Sequence, residues 1–259
     1  MPTAEDVFTQ TFMRFLRNWS FITALRQVGD VALPIAEISL GQIHANFIER
    51  MSVDPNHQRM IVGLDGSTGP WGESVKRMLQ EEMTKATVAS ARTAIDAASL
   101  VFAQSILDDC ALSYLRVCSL ISPEDWDQLF TDRKIAFSSM TRPIEEIRQT
   151  LIADKLGKLG FESLLTKVDL LFQLCTPPRD FAPINNYRYD RERLARIDER
   201  RQGIIHKNTM TQPLTSIDDD LEYISKTANF LMGLVNEKYG VQINTALMQP
   251  PSPSSPSKT

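Results

Sequence analysis

The chain is short of the residues that secreted and metal-built proteins rely on. Its three cysteines, Cys110, Cys118 and Cys175, are odd in number and lack CxxC spacing. That speaks against a disulfide framework and a zinc knuckle, and it fits a reduced, cytoplasmic setting. No metal or other cofactor is called for. Apolar runs long enough to span a bilayer are missing, and the N-terminal MPTAEDVFTQTFMRFLRNW places acids before its first base. It therefore reads as neither a secretory signal nor a membrane anchor. Positive charge is in deficit too, with a net charge of -4 and a pI near 5.5. A protein of that balance does not coat nucleic acid through a global field, so any contact with nucleic acid has to be local. Few runs rich in Val, Ile and Thr alternate at period two, which argues against a sheet. The glycine-rich stretch from Gly63 to Gly72 lacks the GK[ST] ending of a phosphate loop and follows no apolar strand, so it reads as a plain connector.

What is present is helical periodicity, with apolar residues recurring at spacings of three and four. Residues 4–26 and 34–51 are expected to form two N-terminal helices, the second opened by Pro34, as an extension over residues 1–53. A loop over 54–72 follows, then an all-α bundle over 73–240 and a Pro/Ser-rich, disordered tail over 241–259. The pattern from Glu73 to Ile121 allows one very long helix or two. Its Ala/Ser-dense centre, TVASARTAIDAASLVFAQS, lets a neighbouring helix approach closely. Ser122-Pro123 reads as the start of a short helix reaching Thr131, Pro143 opens one to Gly157, and Phe161 to Cys175 carries an apolar stripe. Asp190 to Asn208 is a further helix, and Ser216 to Tyr239 is the last, ended by Gly240. Cys110 and Cys118 read as core residues, and His44 and His57 have no partner spacing.

Candidate catalytic side chains gather in one place, the segment Arg201-Gln202-Gly203-Ile204-Ile205-His206. At about 100° per residue, Leu194, Ile197, Ile204 and Ile205 fall in one stripe with Arg201 near its centre. An arginine at an apolar register is costly unless it is paired or committed to an anion. Arg193, Arg196 and Arg200 cluster to one side, where they can remain solvated or track a phosphate backbone. From Arg188 to Lys207 seven basic residues meet four acidic ones. Asp108 and Asp109 read as surface residues or as an acidic contribution to a site.

The segment ERRQGIIHKN resembles the R-x4-6-H signature of HEPN domains, with Arg201 at the arginine, Gln202 at the polar position and His206 at the histidine. Arg200 also satisfies the spacing, although only Arg201 lies in the apolar stripe. Gln202 stands where asparagine, aspartate or histidine is more common in that family. Asn208 stands where the subclass paired with small nucleotidyltransferases has tyrosine. The resemblance implies an up-and-down helical bundle and a metal-independent endoribonuclease, in which RNA's own 2′-hydroxyl attacks the adjacent phosphate to leave a 2′,3′-cyclic phosphate. His206 would act as general acid or base, Arg201 would hold the phosphate, and Gln202 would orient it. Arg200, Arg196, Arg193, Lys207 and Asn208 would contact the RNA. On an ideal helix Arg201 and His206 stand about 140° apart, and one histidine does not readily supply both acid and base. Both points favour a homodimer with a shared cleft. The family further implies a toxin or antiviral-defence role and a neutralising antitoxin partner. The other reading is a non-catalytic nucleotide-binding or protein-interaction module.

Overall fold

In the computed structural model residues 2–53, 72–130, 142–179, 181–184, 187–207 and 214–245 are described. Among them the chain is helical and has no strand, and no helix is long and apolar enough to cross a membrane. The elements are α1 (Ala4–Val53), α2 (Glu73–Ile121), a 3-10 helix (Pro123–Leu129), α3 (Ile144–Leu159), α4 (Leu164–Cys175), α5 (Arg191–Lys207) and α6 (Ile217–Tyr239). The glycine-rich stretch up to residue 71, His57, Asn208 and the tail from residue 246 lie outside the described residues.

By its contacts the chain divides into two compact units: Met1–Phe21, Leu100–Gly203 and Ser216–Thr259 in one, Ile22–Ser99 and Ile204–Thr215 in the other. The first turns of α1 belong with the larger unit because Phe8 packs on Tyr114 at 5.7 Å between ring centroids and Arg14 pairs with Asp109 at 3.0 Å.

In the smaller unit the two expected N-terminal helices are one, with Pro34 inside α1. The proline removes one backbone donor and crowds the carbonyl of Asp30. The turns on either side are nevertheless held against α2 by antiparallel pairs. Arg26 bonds Asp96 at 3.3 Å and Arg92 pairs with Asp30. Further along, the Gln80 amide donates to the Gly41 carbonyl at 2.9 Å, His44 bonds Thr84 at 2.9 Å and Lys76 reaches Glu49 at 2.7 Å. The stretch from Glu73 to Ile121 likewise resolves as a single helix.

The larger unit is built around the second half of α2, where Leu100, Ala103, Leu107, Ala111, Leu115 and Cys118 are fully buried. The small residues among them let flanking helices close in. An aromatic layer packs beside them, with Phe172 against Tyr189 at 4.6 Å and Phe230 against Phe181 at 5.2 Å. Gly233 is required there, since a Cβ would lie 2.9 Å from Pro183. Cys118 and Cys175 meet as free thiols, Sγ to Sγ 4.0 Å.

Three expected boundaries move. Phe161 is not in a helix, because its N–H and that of Glu162 close the end of α3 on Lys158 and Leu159, and Ser163 then caps α4 by accepting from the Thr166 N–H. Ser122 makes no side-chain cap; the segment after it winds as a 3-10 helix, with the Asp125 N–H on the Ser122 carbonyl at 3.2 Å. The tail expected from residue 241 begins packed, since Val241 is buried and the Asn244 N–H donates to Thr9 Oγ1 at 2.8 Å. Gly240 ends α6 at φ 66°, with its N–H on the Asn236 carbonyl. A side chain at that left-handed position is strained, so Gly240→Ala is expected to cost about 1 kcal/mol in urea unfolding.

Candidate functional site

Three devices in the larger unit fix the position of α5. Asp190 precedes it and accepts from the Arg193 N–H at 3.0 Å, while the Tyr223 hydroxyl both accepts from the Asp190 N–H and donates to its carbonyl, at 2.9 and 2.7 Å. That satisfies donors that a bare helix start leaves open. Leu194 and Ile197 are buried on the inner face, and Arg200 pairs with Asp220. The apolar stripe read from the sequence holds at Leu194, Ile197 and Ile204 and fails at Ile205, which is 46% exposed. Ile205 lies on the last turn of α5, beside exposed His206.

Arg201 takes an intermediate position, with its side chain 29% exposed. Its Nε is buried without a hydrogen-bond partner, and its ion pair, to Asp198, is stretched to 4.0 Å. Together with Gln202 it lines a cavity of about 410 Å³ whose walls include Gln104, Asp108, Asp198 and the turn from Gly160 to Leu164. Burial raises the Asp198 carboxyl above its ordinary pKa, an effect that Arg201 partly offsets. Asp108, on the same wall, accepts two bonds from Lys167 Nζ at 2.7 and 2.6 Å. His206 is exposed on the last turn of α5.

The expected RNA-contacting arginines divide by their commitments. Arg193 lies over the Tyr223 ring at 4.5 Å and donates to the Asp219 carbonyl at 2.9 Å, and Arg200 holds Asp220. The Asp220 carboxyl is raised by burial, with Arg200 and Arg193 acting against the shift. Arg196 is 63% exposed and pairs loosely with Glu192, at 4.0 Å. Lys207 ends α5. Arg200 is therefore structural in its contacts, and of the two arginines that satisfy the motif spacing it is Arg201 that faces a cavity.

Gln104, Asp198, Phe161 and Ser163 at this cavity were not singled out from the sequence. One signal was there to read. A glutamine amid the apolar run Leu100-Val-Phe-Ala103 sits at a buried register of α2, where an amide has to find a partner. His44, which has no partner spacing in the sequence, bonds Thr84 through Nδ1 at 2.9 Å. Compared with family models, with curated proteins and with solved structures, the chain matches none.

Proposed function

We propose that the chain is a metal-independent endoribonuclease of HEPN type, acting as a homodimer. The observation that carries the reading is Arg201, an arginine held in a cavity wall with part of its guanidinium unbonded. A guanidinium that is partly exposed at a cavity rim, with its Asp198 pair stretched to 4.0 Å, is suited to receive a phosphate there. His206 is exposed on the same helix, and an imidazole is the side chain that most often serves as general acid or base.

In the reaction the RNA 2′-oxygen forms a bond to phosphorus and the bond from phosphorus to the 5′-oxygen breaks. A base takes the 2′-hydroxyl proton and an acid gives one to the leaving 5′-oxygen. Arg201 stabilises the charge that builds on the phosphoryl oxygens, Gln202 orients the phosphate, and His206 serves one proton transfer. The histidine of a second copy serves the other. Self-association has independent support on α1, where Val28, Val31, Ile35 and Ile38 are 63–78% exposed. Their spacing of three, four and three is that of a coiled-coil seam. A toxin or defence role, with a neutralising antitoxin, extends the same reading.

RNA cleavage in EDTA tests it. Wild type is expected to release 2′,3′-cyclic phosphate ends, and His206→Ala to lose activity by about a hundredfold or more. Because a cleft needs both histidines, mixing His206→Ala protomers into wild type is expected to lower activity more steeply than the wild-type fraction falls; a cleaving species that stays monomeric overturns the shared site.

A second reading, a non-catalytic nucleotide-binding module, is favoured by the internal pairing of Arg193 and Arg200, which takes two cations away from an RNA track. Nucleotide binding with no cleavage of any RNA, in wild type and His206→Ala alike, would select it.

A further inference from the structure

Gln104 is 1% exposed, and neither Nε2 nor Oε1 of its amide has a hydrogen-bond partner. It lines the same cavity as Arg201, whose Nε is also unpartnered. A buried amide lacking both bonds is destabilising, and its neighbours on α2, Ala103 and Leu107, show what an inert wall would contain. These atoms are closed off from solvent, so a ligand meets the Gln104 amide only once it turns toward the cavity, and it then has to offer both a donor and an acceptor. We infer that the inner wall of this cavity is a nucleobase subsite that selects guanine, formed by Gln104, Asp198 and Phe161 beside Arg201.

Charge decides against a phosphate deep in the cavity. Asp108, Asp198 and Glu162 line it, with Arg201 and the ammonium of Lys167 as counter-charges. A neutral, planar ligand avoids that excess of carboxylate, and the phosphate of a nucleotide then belongs at the partly exposed guanidinium of Arg201. The donor set narrows the base. Asp108 is held by Lys167 and Glu162 is exposed to solvent, so Asp198, 17% exposed, is the carboxylate of the inner wall that can accept hydrogen bonds. Guanine presents two adjacent donors, N1–H and N2–H, which suit one carboxylate, and the acceptors O6 and N7, which suit an amide N–H and an arginine. Adenine, cytosine and uracil each lack the paired donors.

Phe161 supplies the stacking surface. It is 97% exposed at the cavity, in the turn between α3 and α4. Nothing in the fold buries it, and a bare aromatic ring beside a polar cavity is the arrangement on which bases stack.

The subsite rests on the nucleotide-binding part of the proposed function and is tested apart from cleavage. Titration calorimetry of the full chain with the four nucleoside 5′-monophosphates is expected to show GMP binding about tenfold more tightly than AMP, CMP or UMP. Phe161→Ala, which removes no buried contact, is expected to weaken GMP about tenfold. Asp198→Asn is expected to bring the four nucleotides within about threefold of one another. Equal affinities, no binding, or indifference to both substitutions would overturn the subsite and leave the cavity to water. RNA cleavage without preference for guanine would sink the subsite and spare the nuclease. GMP selection without cleavage of any RNA would do the reverse.

Discussion

Asp108→Ala is expected to destabilise the protein by about 3–5 kcal/mol, and Lys167→Met by less than about 1.5 kcal/mol, although both break the same ion pair. The asymmetry follows from which charge is left behind. The Lys167 side chain is 1% exposed and the Asp108 side chain 38%, with the ammonium bonded to both carboxylate oxygens. Removing the carboxylate strands an ammonium that water does not reach. Removing the ammonium leaves a carboxylate that can hydrate, and methionine refills the channel that the lysine stem occupied. Urea unfolding followed by circular dichroism measures both variants. Equal losses would mean that the packing of the stem, and not the stranded charge, sets the energy. Asp108 also borders the cavity, so its loss is expected to disturb ligand binding, whereas Lys167→Met keeps the carboxylate in place.

Trp126→Ala is expected to cost about 3–5 kcal/mol, and Trp126→Phe about 1 kcal/mol. Trp126 is wholly buried, and its indole N–H has no partner. Alanine opens a cavity the size of the ring system. Phenylalanine keeps most of the apolar volume and removes a donor that burial leaves unsatisfied, so the two effects partly cancel. The surrounding 3-10 helix is tied down on both sides of this residue. The Tyr239 hydroxyl donates to Asp125 at 3.0 Å, and Arg148 holds Asp127 with two bonds of 2.8 Å. With those ties in place the segment is expected to resist collapse into the void. A phenylalanine variant as damaged as the alanine one would show that the indole N–H bonds a group through water.

The helical class was legible because long stretches keep a 3.6-residue period, and the positions of α5 and α6 were close because Asp190, the aspartates after Ser216 and Gly240 act at their ends. Pro34 misled, since proline is a strong local signal, but the pairs from Arg26 to Asp96 and from Gln80 to Gly41 outweigh it. No local pattern announces that ladder; it depends on residues about 40 to 70 positions away. The same limit applies to the site. Arg201 was readable because its register conflicts with its charge. Its neighbours Gln104 and Phe161 come from distant turns of the chain, and only folding sets them beside it.

The three cysteines have a practical consequence. Cys110, Cys118 and Cys175 are all buried and free. Burial pushes the Cys110 thiol up to about 12 and that of Cys118 upward as well, the latter also through its contact with Cys175. Because the thiolate is the reactive form, these sulfurs meet an alkylating reagent only when the surrounding helices come apart. Alkylation kinetics under native conditions thus report how often the larger unit opens, with the native thiols as the only probe sites needed.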